Sequence, residues 1–172
     1  MIPGWALFDW GDTLMVDFGE YSGPMASWPR VEAVAHAADA LSQLRSQGWH
    51  TAVVTNASDS GETEVRQALA RVGLDTLVDR VFSSRDVGFK KPTPEFFSFV
   101  SAELGVRPRN LVMIGDNPIV DIAGATAAGV AAVWLRRDDR TLSDDPMRAT
   151  IGDLAELPRL LAVWVPQEAG SG

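Results

Sequence analysis

A doubly wound α/β fold is what this chain predicts, and three observations predict it. Four times a helical stretch closes on a glycine and a short apolar run follows. Those runs are rich in valine and isoleucine, as strands buried on both faces are. Chemistry-bearing polar groups stand at the ends of the runs, the edge where open parallel sheets build their sites. Helices alternating with such strands imply right-handed crossovers and a parallel sheet covered on both sides. With 172 residues the chain is long enough for one domain with a real core. The expectation is a single domain over residues 1–165 and a flexible tail over 166–172.

The elements follow in order. Trp5-Ala6-Leu7-Phe8 is an apolar run that ends abruptly in Asp9, Gly11 and Asp12. A strand running into an Asp-Gly-type turn is the bland reading of that stretch. Residues 16–28 carry Gly19, Gly23 and Pro24 and read as a loop, and residues 33–44 form an alanine-rich amphipathic helix. Gly48 precedes a second strand over 51–55, Gly73 a third over 80–83, Gly105 a fourth over 111–115 and Gly129 a fifth over 131–135. Glycine just past a helix takes the left-handed conformation that closes it. Thr93-Pro94-Glu95 supplies a capping hydroxyl, a first-turn proline and an acidic first turn ahead of Phe96, Phe97 and Val100; Asn117-Pro118 does the same ahead of Ile119 and Ile122. Residues 136–148, with Asp138-Asp139 and Asp144-Asp145, read as a charged loop, and Asp153 caps a last helix through Leu161. The count is five strands and about five helices.

Composition bounds the function. A net charge of −8 offers no basic face to displace counterions from nucleic acid or to bind an anionic membrane. The absence of cysteine removes disulfides, thiolate metal sites and a cysteine nucleophile. No apolar run approaches membrane-spanning length, and the first residues lack a secretory pattern, so a cytoplasmic location is expected.

On a parallel sheet the strand ends converge. Asp9, Thr55-Asn56 and Asp116 then share one crevice, with Asp121 one helical turn on and Lys90-Lys91 arriving from the loop after the third strand. Carboxylates brought that close repel, so some must protonate or a hard cation must join them. An oxygen-only donor set favours Mg²⁺. Metal and lysine together could neutralise a phosphate brought against a carboxylate nucleophile, which reads as phosphoryl transfer through an aspartyl-phosphate. His36 and His50 have no place in this arrangement.

Four motifs, in order and each on the right element, resemble the haloacid dehalogenase (HAD) superfamily of hydrolases. They are Phe8-Asp9-Trp10-Gly11-Asp12-Thr13-Leu14, Val53-Val54-Thr55-Asn56, Lys90-Lys91-Pro92 and Gly115-Asp116-Asn117-Pro118-Ile119-Val120-Asp121. The resemblance implies a three-layer Rossmann-like core and a phosphatase. Asp9 would be nucleophile and metal ligand, and Thr55 with the Asn56 backbone would hold the phosphoryl oxygens. Lys91 would balance charge, Asp116 and Asp121 would hold Mg²⁺, and Gly11 would offer its carbonyl to the metal. The substrate would be a phosphorylated small molecule or a phosphorylated macromolecule. Neither the stretch between Leu14 and His50 nor that between Thr55 and Lys91 has room for the cap domain many members carry. A site without a cap is open, and Phe18, Tyr21 and Trp28 could either cover it through a homo-oligomeric contact or pack locally.

One departure bears on activity. The family's first motif usually carries an acid/base aspartate two residues after the nucleophile; here that position is Gly11, and Asp12 follows it. Losing a positioned acid/base group costs about 10²–10⁴ in rate. Asp12 can swing into the role, the substrate can carry a good leaving group, or the protein can be a slow or inactive binder of phosphorylated ligands.

Overall fold

The strands are β1 (Trp5–Phe8), β2 (His50–Thr55), β3 (Arg80–Ser83), β4 (Leu111–Gly115), β5 (Ala131–Leu135) and β6 (Arg148–Ile151). In the computed structural model, which describes residues 1–137 and 145–166, they form one parallel sheet in the order β3-β2-β1-β4-β5-β6. The chain steps outward from β1 through β2 to β3, then crosses back to place β4 on the other side of β1. The strand order therefore reverses between β1 and β4, and a crevice opens at their carboxyl ends.

Alternation along each strand divides the core cleanly. Phe8, Val53, Val81, Ile114 and Val133 face a layer made by α1 (Ala37–Ser46), α2 (Glu62–Arg71) and α6 (Leu157–Val163). Leu7, Val54, Phe82, Met113 and Trp134 face the opposite layer, made by α4 (Pro94–Leu104) and α5 (Gly124–Ala127). A single-turn helix, α3 (Ser84–Val87), follows β3. Both faces being covered explains the unbroken apolar runs. Between β1 and β2 lie a loop with one 3₁₀ turn (Met25–Ser27) and α1; between β2 and β3 lie α2 and a second such turn (Asp75–Leu77). None of the described helices is long and apolar enough to cross a membrane.

The five expected strands are all present, but the sheet has a sixth. β6 pairs with β5 from Ala132↔Arg148 to Leu135↔Ile151 at the sheet edge, where only Ile151 of its four residues is buried. An edge strand with one buried side chain leaves no apolar run to read. The charged loop expected over 136–148 lies partly outside the described residues, as does most of the expected tail.

Two helix boundaries also moved. Residues 33–36 are not helical: Ala33 bridges to Met15, the Val34 N–H donates to the Leu14 carbonyl, and His36 takes a left-handed conformation with φ 62°. The chain there braces the loop after β1, and α1 starts afterwards. Asp153 does cap, accepting the Ala155 N–H at 2.7 Å, but it caps a 3₁₀ turn (Leu154–Glu156) that leads into α6. The glycine signals held: Gly48, Gly73, Gly105 and Gly129 all have positive φ.

Candidate active site

Each strand of the sheet's centre delivers one polar group to the crevice. Asp9 continues the β1 ladder, its N–H donating to the Ile114 carbonyl at 2.9 Å, so its side chain leaves from a rigid edge. Thr55 ends β2, nearly buried, with its hydroxyl accepting the Ala57 N–H at 3.2 Å. Asp116 follows β4 directly; one of its oxygens accepts from the buried Thr13 hydroxyl at 3.3 Å, and the Trp134 indole N–H donates to its carbonyl at 3.1 Å. All the residues singled out from sequence, namely Asp9, Gly11, Asp12, Thr55, Asn56, Lys91, Asp116 and Asp121, line one cleft of about 450 Å³.

Lys91 sits at its focus. The side chain is 1% exposed, and its ammonium donates to Asp9 at 2.8 Å and to Asp121 at 2.7 Å. Burial by itself pushes an ammonium toward its neutral form. The charges of Asp9 and Asp121 outweigh burial and hold Lys91 above the ordinary lysine value. Asp121 is buried, its second oxygen accepting the Asn117 N–H at 3.1 Å, at the start of a wide, π-type turn (Pro118–Ala123) that runs into α5. Asn117 caps that turn, as its sequence position suggests, accepting the N–H groups of Ile119 and Val120.

The site holds more negative charge than it can balance internally. Asp9, Asp116 and Asp121 place carboxylate oxygens within 4.8 Å of one another, and one ammonium pairs with Asp9 and Asp121. Burial, then the charges of Asp9 and Asp121, push Asp116 up to about 6. Asp121 is likewise pushed up to about 6, by burial first and by Asp9, against the opposing pull of Lys91. The two surplus charges and the hard oxygen donors fit a divalent cation such as Mg²⁺. These three side chains would hold it, with Gly11 in the same cleft.

Three supports were not read from sequence. The Asn56 side chain, expected to matter only through its backbone, clamps Lys91: its carbonyl oxygen accepts the Lys91 N–H at 2.8 Å and its amide donates to the Lys91 carbonyl at 2.8 Å. A methyl group on Gly115 would overlap the Asp121 carboxylate, and one on Gly124 would overlap Pro92, so these glycines are needed for close approach. Thr93, expected as a cap, instead donates its hydroxyl to the Lys90 carbonyl at 2.6 Å. The Asn56 clamp yields a prediction. Asn56→Ala removes both hydrogen bonds and strands two backbone groups of Lys91, which is expected to lower stability by about 1–3 kcal/mol in urea unfolding. No change in stability would mean that the loop carrying Lys91 is held from elsewhere.

Asp12 has φ 58°, an orientation that Asp tolerates better than most residues. Its N–H donates to the Met15 carbonyl at 2.6 Å, its carboxylate accepts the Asp17 N–H at 2.9 Å, and its carbonyl accepts from Arg137. The aromatic side chains of the following loop pack on one another: Phe18 against Tyr21, Tyr21 against Trp28, with the Arg30 guanidinium over Phe18. Trp28 and Met25 form one wall of the cleft.

The profile of the haloacid dehalogenase-like hydrolases matches residues 7–129, which takes in all four motifs and every site residue. The chain belongs to that family. Among its HAD relatives is the phosphoserine phosphatase of Thermus thermophilus, 36% identical over 121 residues, covering 68% of this chain and 46% of the relative. Another is (S)-2-haloacid dehalogenase 4A of Burkholderia cepacia, 29% identical over 147 residues, covering 84% and 62%. The chain thus spans about half to two thirds of the length of these curated relatives. A solved structure, that of an uncharacterized protein from Listeria monocytogenes serotype 4b, superposes with TM-score 0.83 at 26% identity over 93% of this chain and 97% of that one.

Proposed function

We propose that this chain is a Mg²⁺-dependent phosphatase acting on a small phosphate monoester or acyl phosphate through an aspartyl-phosphate on Asp9. The observation that carries the reading is the buried Lys91 ammonium fixed between Asp9 and Asp121 where three carboxylates meet. A lysine so placed fixes the Asp9 carboxylate through a 2.8 Å hydrogen bond, and it offers positive charge beside the incoming phosphoryl group. Thr55, with the backbone after it, orients the phosphoryl oxygens in the same cleft. Asp116 and Asp121 would hold the metal together with Asp9, and the Gly11 carbonyl would complete that set. When bound, Mg²⁺ supplies the positive charge that neutralises the phosphoryl oxygens and the crowded carboxylates.

Dehalogenation develops no phosphoryl charge for a cation to neutralise. The three carboxylates of Asp9, Asp116 and Asp121, a donor set suited to a divalent cation, therefore favour phosphoryl transfer. The cleft's volume and the Thermus relative, a phosphoserine phosphatase, support a small substrate. The core is proposed to work without a cap, its cleft walled by the loop after β1, and in the cytoplasm. A binder without turnover has no observation in its favour beyond Gly11.

The test is phosphate release by the wild-type protein from acetyl phosphate and p-nitrophenyl phosphate. Release that needs Mg²⁺ and falls at least about 100-fold with a chelator is the expected outcome. Halide release from 2-chloropropionate without phosphate release from either phosphorylated compound would overturn the reading.

A further inference from the structure

The space left by Gly11 is not empty. Its φ lies outside the left-handed region, so the backbone does not demand glycine there. A Cβ built on Gly11 would meet nothing nearer than the Asp17 Cβ and Oδ2, each at 3.5 Å. Those are ordinary contacts, so a methyl group itself would fit. What stands beyond it, where a side chain from position 11 would extend, is the carboxylate of Asp17. Asp17 lines the same cleft as Asp9, and residues 12 and 17 are joined by the Asp17 N–H to Asp12 carboxylate bond at 2.9 Å. The loop between them is braced on both sides. Gly11 bridges to Met15, and the Val16 N–H donates to the Glu32 carbonyl at 2.9 Å. Asp12, by contrast, spends its carboxylate holding the Asp17 backbone.

We infer that Asp17 is the acid/base group of this site, reaching from six residues further along the chain into the place that Gly11 leaves open, with Asp12 as the residue that positions it. The inference rests on the phosphatase reading above. In the first step an Asp9 oxygen bonds to phosphorus while the bond from phosphorus to the leaving oxygen breaks. That electron pair stays on the leaving oxygen, which takes the proton of the Asp17 carboxylic acid. In the second step the Asp17 carboxylate takes a proton from water as the water oxygen bonds to phosphorus. The bond from phosphorus to Asp9 breaks, and Asp9 returns as a carboxylate. The net change is ester plus water to alcohol plus phosphate, with Asp17 protonated again. Solvent exposure of Asp17 lets its proton exchange between turnovers.

The test uses leaving groups and the phosphoenzyme. kcat/KM covers the chain of steps through departure of the leaving group, so a missing acid shows as a steep dependence on leaving-group basicity. Asp17→Asn is expected to lower kcat/KM by about 10²–10⁴ for an alkyl phosphate and far less for p-nitrophenyl phosphate. With acetyl phosphate, whose leaving group needs no proton, Asp17→Asn is expected to accumulate phosphate on Asp9, because water then lacks its base. Gly11→Asp/Asp17→Ala, which moves the carboxylate to the usual position, is expected to recover at least tenfold of the alkyl phosphatase activity. The inference falls if Asp17→Asn lowers alkyl and aryl rates equally and the double variant recovers nothing. It falls too if Asp12→Asn, rather than Asp17→Asn, steepens the leaving-group dependence. Asp9 phosphorylated and turned over equally in wild type and Asp17→Asn would sink this inference alone; Asp9 never phosphorylated in either would sink the phosphatase reading with it.

Discussion

Asp9→Asn is expected to lower phosphate release from acetyl phosphate by about 10⁴ or more, with no loss of stability. An amide has the shape of the carboxylate and little of its nucleophilicity, so the reacting group disappears while the packing stays. The electrostatics point the same way. Wild type brings three carboxylates to one ammonium, and the charge of Asp9 is among the causes that push Asp116 and Asp121 up. Removing that charge relieves both acids, and Lys91 keeps its bond to Asp121. Thermal unfolding of the metal-free variant should therefore match or exceed wild type, and the pKa of Asp116 should move back toward the ordinary carboxylate range in an NMR titration. A variant that keeps more than about a tenth of the wild-type rate would remove Asp9 from the nucleophile's role, since a true nucleophile has no substitute of that efficiency.

The contrast between what the chain shows and what it hides follows from sequence distance. β1 to β5 were legible because strands buried on both faces leave continuous apolar runs, and Gly48, Gly73, Gly105 and Gly129 mark the helix ends before four of them. Asp9, Thr55, Lys91, Asp116 and Asp121 were legible because parallel topology gathers strand ends at one edge. β6 was hidden because an edge strand with one buried residue has no pattern. Thr93 misled because its hydroxyl found the Lys90 carbonyl, a competing local acceptor. The Asn56–Lys91 clamp joins residues 35 apart, and no local rule reports such a meeting. Asp17 was read as one residue of an irregular loop. Its place beside Gly11 depends on the bridge from Gly11 to Met15 and the turn at Asp12, which exist only once the loop is folded.

Lys91→Met should destabilise the metal-free protein by about 3–5 kcal/mol near neutral pH, and by much less in acid. Methionine fills similar space with apolar atoms, so the change isolates charge. What it leaves is three crowded carboxylates without an ammonium, one of them the buried Asp121, and breaking a buried pair from one side strands the other. The pH dependence has a definite sign. Asp116 and Asp121 are raised to about 6 in the folded protein, above their unfolded values. A raised carboxylate binds its proton more tightly folded than unfolded, so the stability it lends is complete below the unfolded pKa of about 3.9 and is lost as pH rises through the folded value. Wild type without metal should thus weaken between about pH 4 and pH 6 and then level off. In Lys91→Met the pull that lowers Asp121 is gone, its folded pKa rises further, and the decline runs deeper and to higher pH. Lys91 itself, held above the ordinary lysine value, keeps its own contribution across this range and loses it only in strong alkali. Urea unfolding of both proteins near pH 4.5 and pH 7.5 reads the difference, about the two sides of these transitions. Saturating Mg²⁺ should narrow the gap near pH 7.5, because a divalent cation replaces charge the lysine supplied, and should change little in acid, where the carboxylates are already neutral. Equal deficits at both pH values, with or without Mg²⁺, would mean that Lys91 stabilises the site through packing rather than by balancing its charge.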